Sequence, residues 1–582
     1  MNIIGISCLY HDAAACLYRD GEIVAAAEEE RFTRRKHDDS FPVNAIRYCL
    51  DQGGIAPGEV DHVVFYEKPL LKFERILSSM IDTFPSSGSA FARAMEHWLT
   101  QKLWTRGLIR KHLPAGALAF SEHHISHAAS AFLVSPFEEA AILTADGVGE
   151  WTTTAVGVGR GGSLELLREI RFPHSLGLFY SAFTAYLGFE VNEGEYKVMG
   201  LAAYGRPNRT DEVRRLIDVA ADGSFQLDMS YFGHHRSLTT FSRRFVEHFG
   251  PARHPEAEVE QRYADLAASV QQVLGDVLVR IATDLRRTTG LSRLAMAGGV
   301  ALNGLANRRI LREAGFDEVF IQPAAGDSGG AIGAAAYLAH SILGEPRTAP
   351  MRHAYLGPEF GDHEISGFLR AHNIDAARYD DGPLVERVAD LLAAEQVVGW
   401  HRGRSEFGPR ALGARSILAS PRRAEMKDII NEKIKHRERF RPFAPSVPVE
   451  DAGRYFELDH ESPYMLFIVP VRPERRAEIP AVTHEDGTAR VQTVDGASNP
   501  LYYDLLRAFG RRTGTPVLVN TSFNVRGEPI VNTPAEAYNC FAHTGIDHLV
   551  LGNWLLGPET KRMLFPSPTH HRADACPSDV IL

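Results

Sequence analysis

The feature that most constrains the fold of this chain is a unit of three short strand-like segments that occurs twice. The first copy lies in residues 2–31 and the second in residues 140–172. The segments are Asn2–Cys8, Ala13–Tyr18 and Glu22–Ala27 in the first copy, and Ala141–Ala145, Thr152–Val158 and Leu164–Ile170 in the second. The first turn carries an acid in both copies, Asp12 and Asp146. A repeated strand unit predicts an internally duplicated α/β domain, and the alternative is a chance likeness between two common β-meanders.

A duplicated unit of this kind is typical of the actin/sugar-kinase class of folds (ASKHA). In that class two sheets face a cleft, and the first hairpin of each half points toward phosphate groups. We therefore expect an α/β N-terminal domain that binds a nucleotide between two related halves.

A histidine pair between the two copies indicates a metal site. His123 and His127 lie four residues apart in the segment Ser121–Ser130, so on a helix they would share one face. Asp146 ends an apolar run, and Asp327 lies in a glycine-rich turn. Two imidazoles with two carboxylates suit Fe²⁺, Mn²⁺ or Zn²⁺ better than Ca²⁺. The alternative is an amphipathic helix with buried, satisfied histidines.

Two glycine-rich turns predict the nucleotide site. Gly298-Gly299 opens a helix after the strand Leu294–Ala297, and residues 326–330 follow the strand Val319–Gln322. Glycines at such junctions let backbone N–H groups approach a phosphate, and the helix N-terminus adds partial positive charge. Periodicity is lost in the proline-containing stretch 343–360. We therefore predict domains at residues 1–345 and 360–565, and a flexible tail at 566–582.

The second predicted domain carries arginines in rigid loops. Arg410 lies in the Gly/Pro-rich loop 407–413, and Arg441 lies in the aromatic and proline-rich segment 440–445. Guanidinium groups held in such loops suit bidentate binding of phosphate or carboxylate. The buried-strand pattern 516–524 ends in the polar residues Asn520 and Ser522, among others. These segments predict a site for a small anion, and the alternative is a solvated charged surface.

Composition excludes several classes of protein. The formal net charge of −10 argues against a general nucleic-acid binder. Five cysteines without CxxC spacing indicate a reduced, cytoplasmic protein. The first residues are typical of a strand and not of a signal peptide, and no run of about 18 apolar residues predicts a membrane span.

The motifs taken together resemble the O-carbamoyltransferases of nodulation-factor, cephamycin and tobramycin biosynthesis over about residues 1–565. The motifs are His11-Asp12, Glu30-Arg-Phe32 with Lys36-His37, HHISH (123–127), EGEYKVMGLAAYG (193–205), GGVALN (298–303), GDSGGA (326–331), EFGPRALG (406–413), FRPFAPS (440–446), HEDGTARVQTV (484–494) and NTSFNVRGEPIV (520–531). The resemblance implies an ASKHA N-terminal domain and an α/β C-terminal domain similar to the YrdC-like fold that forms carbamoyl-adenylates. It also implies a reaction in which carbamoyl phosphate and ATP give carbamoyl-AMP, whose carbamoyl group passes to a hydroxyl of a small natural product.

The same resemblance assigns residues to sites by matching position. A metal, Fe²⁺ or another divalent ion, would be held by His123, His127, Asp146 and Asp327. Carbamoyl phosphate would be bound by Arg410, Lys435, Arg441, Arg490, Asn520 and Ser522. ATP with Mg²⁺ would contact Lys36, Gly298, Gly299, Val300, Asn303 and Asp327. Catalysis would fall to His11, Asp12 and Lys36, with either His11 or Asp12 as the base that faces the acceptor hydroxyl.

Three other functions stay open from the sequence. They are a tRNA threonylcarbamoylation enzyme, a sugar-kinase-like phosphotransferase, and a nucleotide-regulated interaction protein that is not an enzyme. The acidic charge and the additional arginine-rich domain count against the first two. The expected partners are carbamoyl phosphate, ATP and a small hydroxyl acceptor, with no nucleic acid, no membrane and a homodimer as one option for assembly.

Overall fold

The computed structural model describes residues 1–438 and 440–566 and divides the chain into two compact units. The first unit contains Met1–Glu29 and His37–Met351, and the second contains Glu30–Lys36 and the chain from Arg352 onward. The predicted tail, residues 566–582, lies outside the described residues except for Pro566. Both units combine helices with β-sheets, as the α/β prediction requires.

The strands of the first unit form two five-stranded sheets and one small hairpin. The strands are β1 Asn2–Ser7, β2 Ala14–Arg19, β3 Glu22–Glu28, β4 His62–Phe65, β5 Ala117–Phe120, β6 Glu139–Ala145, β7 Thr152–Arg160, β8 Ser163–Arg171, β9 Ile217–Val219, β10 Phe225–Leu227, β11 Arg293–Ala297 and β12 Glu318–Ile321. One sheet has the order β3-β2-β1-β4-β5 and the other has the order β8-β7-β6-β11-β12. In each, two antiparallel pairs are followed by two parallel pairs. The duplicated ASKHA arrangement is therefore confirmed.

Helices connect these strands, although the short helix at Glu30–Thr33 groups with the second unit. Those before residue 352 are α1 Glu30–Thr33, α2 Val43–Gly53, α3 Pro69–Asp82, α4 Gly88–Thr100, α5 Thr105–His112, α6 His123–Phe132, α7 Leu176–Tyr186, α8 Glu195–Ala202, α9 Thr210–Arg214, α10 Arg243–Phe249, α11 Gln261–Thr289, α12 Gly304–Glu313 and α13 Gly329–Ala336. The small residues of α13 let it approach α6 closely, since a Cβ at Gly333 would lie 1.8 Å from the Ser126 carbonyl oxygen. This close contact fixes α6, which carries the histidine pair.

The second unit is built on a mixed sheet of eight strands in the order β13-β22-β21-β14-β15-β20-β16-β19, with β17 and β18 paired separately. The strands are β13 Ala377–Arg378, β14 Val398–His401, β15 Arg415–Ala419, β16 Ala444–Pro448, β17 Ile468–Pro470, β18 Thr488–Arg490, β19 Gln492–Val494, β20 Leu518–Ser522, β21 His548–Leu551 and β22 Trp554–Leu556. The helices are α14 Asp362–Ala371, α15 Asp381–Ala393, α16 Glu425–Ile430, α17 Ala452–Tyr455, α18 Pro500–Thr513 and α19 Pro534–Ala542. Helices α15 and α18 share a buried apolar core with the sheet, centred on Trp400 and Tyr502.

Candidate active sites

Four buried side chains converge at the centre of the first unit. Helix α6 places His123 and His127 on one face, with 3.0 Å between their Nε2 atoms. Asp146 follows β6 directly, and its Oδ2 lies 3.2 Å from Nε2 of His123. Asp327 approaches from the turn before α13, with Oδ1 3.5 Å from Nε2 of His127. One ligand atom from each residue lies within 4.8 Å of the others. The structure thus brings together the four residues predicted as metal ligands.

The donor atoms of this cluster fit a divalent metal ion. Oδ1 of Asp327 is buried and has no hydrogen-bond partner among the described residues. The two Nε2 atoms face each other at a distance where both cannot carry a proton as donors. A set of two nitrogens and two oxygens without thiolates suits a transition metal of the Fe²⁺, Mn²⁺ or Zn²⁺ type. The alternative of satisfied core histidines fits these unpaired atoms poorly.

Neighbouring groups contact three of the four side chains, as the surroundings of metal sites usually do. Tyr66 donates to Oδ2 of Asp327 at 3.2 Å, and the Gly299 amide donates to Oδ1 of Asp146 at 2.8 Å. Glu67 lies 3.6 Å from Nδ1 of His123 and accepts from Lys72 at 2.7 Å. Burial raises the pKa of Glu67, but Lys72 and His123 outweigh burial and hold it at about 2. Glu67 is therefore a carboxylate at neutral pH.

The two predicted bases, His11 and Asp12, form one hydrogen-bonded group with His37. Asp12 contacts Nδ1 of His11 at 2.9 Å and Nδ1 of His37 at 2.7 Å, so both carboxylate oxygens are engaged. Burial lowers the pKa of His11, but Asp327 and Asp12 outweigh burial and raise it to about 9. An imidazolium donates a proton more readily than it accepts one. Burial raises the pKa of Asp12, but His37 and His11 outweigh burial and hold it well below its usual range. The choice between His11 and Asp12 as the base stays a prediction.

The two glycine-rich turns lie side by side in the first unit. The Gly298 amide donates to the carbonyl of Ala325, which precedes the second turn. Val300 lies in a 3₁₀ turn, Gly299–Leu302, after β11. Asn303 caps α12 by accepting from the Ala306 amide, and its side chain exchanges two hydrogen bonds of 2.9 Å with Gln271. Because both ends of its amide are engaged, Asn303 holds the loop in place, and its contact with a nucleotide stays a prediction.

Lys36 belongs to a different unit from the other residues predicted to contact the nucleotide. It belongs to the segment Glu30–Lys36, which groups with the second unit, whereas Gly298 and Asp327 belong to the first. Arg31 and Arg34 attach this segment to the second unit through the carbonyls of Gly408 and Ile530. A boundary drawn from the loss of periodicity could not detect this short excursion, and the role of Lys36 stays a prediction.

Gly298→Ala is expected to destabilise the protein by about 3 kcal/mol or more. Gly298 has φ +94°, and an added Cβ would lie 2.2 Å from the Ala145 carbonyl oxygen, next to Asp146. Gly290→Ala is the matched control, because Gly290 has φ +72° with no atom within 4 Å of an added Cβ. Urea denaturation of both variants checks the prediction. Equal losses of stability would show that the loop tolerates the side chain.

In the second unit, a buried amide network joins three of the predicted segments. Asn520 in β20 donates to Ser446 Oγ in β16 at 3.1 Å and to Gln492 Oε1 in β19 at 2.9 Å. Gln492 in turn donates to the carbonyl of Leu412 at 2.7 Å. The Oδ1 atom of Asn520 is buried and has no hydrogen-bond partner among the described residues. Asn520 thus keeps an acceptor for a ligand N–H, such as a carbamoyl amide.

The predicted arginines lie close in sequence to members of this network. Arg410 precedes Leu412 by two residues, Arg490 precedes Gln492 by two, and Arg441 precedes Ala444, the register partner of Asn520, by three. The structure therefore brings the three backbone segments together at one region of the sheet. Their shared use in binding an anion stays a prediction.

Lys435 is buried against the end of β20. It terminates a π-helical turn, Asn431–Lys435, and its Nζ donates to the Ser522 carbonyl, to Ser522 Oγ at 3.2 Å and to Asn524 Oδ1 at 2.7 Å. Burial lowers the pKa of Lys435 well below its usual range. The side chain thus fixes the polar strand end that contains Ser522.

Sequence reasoning missed the groups that support both sites. Oε1 of Glu406, a buried side chain, accepts from the amides of Leu412, Ala414 and Arg415 and so holds the loop that carries Arg410. Its position as the first residue of the EFGPRALG motif was the available signal. Glu67 and Lys72 had no such signal, because they become neighbours of His123 only through the packing of α3.

Comparisons with known proteins agree with this two-part organisation. Residues 2–336 match the family model "Carbamoyltransferase N-terminus", and residues 389–557 match "Carbamoyltransferase C-terminus". An uncharacterized protein of Synechocystis, sll1178, is 50% identical over 95% of this chain and 96% of its own length. Nodulation protein NolNO of Sinorhizobium fredii is 38% identical over 94% of this chain and 79% of its own. A 3'-hydroxymethylcephem-O-carbamoyltransferase of Amycolatopsis lactamdurans is 39% identical over 45% of this chain and 48% of its own.

None of the described helices has the length and apolar composition that a membrane crossing needs.

The family matches extend over both units and include both predicted sites. On the strength of these matches, the chain belongs to the carbamoyltransferase family and is an enzyme.

Proposed function

We propose that this enzyme is an ATP-dependent O-carbamoyltransferase that forms carbamoyl-AMP and passes its carbamoyl group to a hydroxyl of a small natural product. Family membership and the cephem O-carbamoyltransferase relative support the reaction class. The observation that carries the proposal is the joining of the Arg410, Arg441 and Arg490 segments by the Asn520 network. A sugar kinase has no need of this second anion site.

The first step is proposed for the second unit. Water cleaves carbamoyl phosphate to carbamate and phosphate, and a carbamate oxygen then attacks the α-phosphorus of ATP and expels pyrophosphate. Arg410, Arg441 and Arg490 would bind the doubly charged phosphate, because guanidinium groups offer paired donors to its oxygens. Asn520, and Ser522 with its partner Lys435, would bind the carbamoyl end. Lys36, in the same unit, would contact the adenylate.

The second step is proposed for the first unit. The acceptor hydroxyl attacks the carbamoyl carbon. The bond between this carbon and the bridging oxygen breaks, and AMP leaves with the bridging oxygen. Asp12 or His11 would take the hydroxyl proton, a role that typically contributes about 10²–10⁴-fold. Gly298, Gly299, Val300 and Asn303 would hold the adenylate beside Asp327.

The buried cluster would hold a divalent metal, which we propose to be Fe²⁺, through His123, His127, Asp146 and Asp327. Such an ion supplies Lewis-acid polarisation of an oxygen when it is bound. Mg²⁺ would accompany ATP. We further propose a cytoplasmic enzyme of secondary-metabolite biosynthesis, antibiotics included, that acts on small molecules and not on nucleic acid or membranes, with a homodimer as one option for assembly.

Arg441→Ala is expected to weaken binding of carbamoyl phosphate by about 10- to 100-fold, the worth of charged hydrogen bonds, and to abolish carbamoyl-AMP formation. Arg423→Ala serves as control, since Arg423 is an exposed arginine of the same unit. Titration calorimetry with carbamoyl phosphate, and mass spectrometry of the nucleotide products, check both parts. Normal turnover in Arg441→Ala would contradict the assignment of the site.

A further inference from the structure

Arg75 is a buried cation that the proposed chemistry does not use. It lies on α3 and is 2% exposed. Within the described part of the chain, its Nε and Nη1 atoms have no hydrogen-bond partner. Burying a guanidinium group without partners is costly, so proteins rarely retain one that no ligand or charge compensates. The donors of Arg75 therefore indicate a ligand with acceptor atoms.

Aromatic rings lie between helix α3, which carries Arg75, and the predicted bases His11 and Asp12. Its guanidinium carbon lies 4.9 Å from the centre of the Phe172 ring. One helical turn earlier, Lys72 lies with Nζ 4.5 Å from the centre of the Tyr10 ring. The Tyr10 ring lies 4.6 Å from the ring of His11. Helix α3, which carries both Lys72 and Arg75, thus approaches the ring next to His11.

The pKa of Tyr10 responds both to Arg75 and to carboxylates of the four-residue cluster. Burial and the carboxylates of Asp327 and Asp146 raise the pKa of the Tyr10 phenol, whereas Arg75 opposes them. The phenol is therefore within electrostatic reach of both the four-residue cluster and the guanidinium group. A ligand that contacts Arg75 would lie close to the site proposed for carbamoyl transfer.

The nearest acids are already engaged by other groups. Glu67 accepts from Lys72 at 2.7 Å, and Glu150 accepts from the amides of His123 and Lys68 at the start of α6 and α3. Burial lowers the pKa of Arg75 to about 10, so the group stays charged at neutral pH. Glu67 and Glu150 therefore stabilise Arg75 through charge alone, and its Nε and Nη1 donors stay unused beside the Phe172 ring.

We propose that Arg75 binds a carboxylate or a similar oxyanion on the acceptor, so that the acceptor is an anionic hydroxyl compound. This inference rests on the proposed function. A planar carboxylate can accept two parallel hydrogen bonds from a guanidinium group. Phe172, a buried ring that packs with Val148 and Leu178, supports the guanidinium group that would bind the ligand. Arg75 would then determine acceptor specificity and orientation.

Binding of a simple probe pair tests this directly and needs no turnover. Benzoate and benzamide have the same shape and differ in charge, and each is added to the purified protein in a thermal-shift assay. Benzoate should stabilise the wild type and Arg106→Met, an exposed control on α5, more than benzamide does. In Arg75→Met the difference should vanish, because charged hydrogen bonds worth about 10- to 100-fold in affinity are lost. Equal shifts in the wild type, or a difference retained in Arg75→Met, would overturn the proposal.

The melting temperature of the variants without probe separates a ligand-binding arginine from a structural one. Arg75→Met keeps an aliphatic chain against Phe172 and removes a buried guanidinium group whose Nε and Nη1 make no hydrogen bond, so it should melt at or above the wild-type temperature. A clear fall would indicate a structural partner and contradict the proposal, and Arg75→Lys, which keeps the charge, should retain part of the benzoate effect. Carbamoyl-AMP formation by the wild type is assayed separately, so failure of the proposed function is distinguishable from failure of this inference.

Discussion

Asp327→Asn is expected to remove the bound metal and to lower carbamoyl transfer by about 10³-fold. Asp327 is fully buried, and its Oδ1 lies 3.6 Å from Nε2 of His123 and 3.5 Å from Nε2 of His127. Asparagine has the same shape but withdraws the negative charge that would balance a divalent ion. Metal analysis of the purified variant and a transfer assay check the two parts.

Asp284→Asn is the matched control for this prediction. Asp284 is a buried aspartate of the same unit, and its ion pairs are with Arg168 and Arg287. The Asp284→Asn variant should keep the metal content and the transfer activity of the wild type. If Asp327→Asn retained a full complement of metal, the proposed ligand set would be wrong.

Lys435→Met is expected to reduce carbamoyl-AMP formation by at least about 10²-fold while leaving the metal content unchanged. The substitution removes the Nζ donor from half-buried oxygens of Ser522 and Asn524, and each lost hydrogen bond costs about 0.5–1.5 kcal/mol. The end of β20 should therefore shift. Pyrophosphate release with carbamoyl phosphate and ATP measures the loss.

The same helical turn supplies the control. Lys433→Met changes an exposed lysine two residues away and should leave pyrophosphate release unchanged. A Lys435→Met variant with the wild-type rate would show that the strand end needs no ammonium group. Circular dichroism spectra typical of folded protein for both variants would separate a local change from general unfolding.

Local pattern was enough to predict the elements that carry the first site. The repeated strand unit predicted the six strands β1–β3 and β6–β8, and the four-residue spacing predicted that His123 and His127 share a helix face. Both inferences rest on periodicity, which depends on nearby residues. Apolar residues three and four apart between Leu266 and Ile281 likewise indicate a long helix, and α11 extends over Gln261–Thr289.

The supporting contacts could not be predicted in the same way. Glu67 lies beside His123, about fifty residues further along the chain, and Lys72 of α3 donates to Glu67. Asn303 is predicted to contact a nucleotide. Its amide is paired with Gln271 of α11, a residue that no sequence motif indicates. Side-chain partners across such distances depend on tertiary packing and are not encoded in any local spacing.

The central claim is that the two chemical steps belong to separate units of one chain. The most direct test is mass-spectrometric measurement of carbamoyl-AMP in Asp327→Asn and Lys435→Met, each incubated with carbamoyl phosphate, ATP and Mg²⁺. Asp327→Asn should accumulate carbamoyl-AMP, and Lys435→Met should form almost none. Wild-type amounts from Lys435→Met, or none from Asp327→Asn, would contradict the claim.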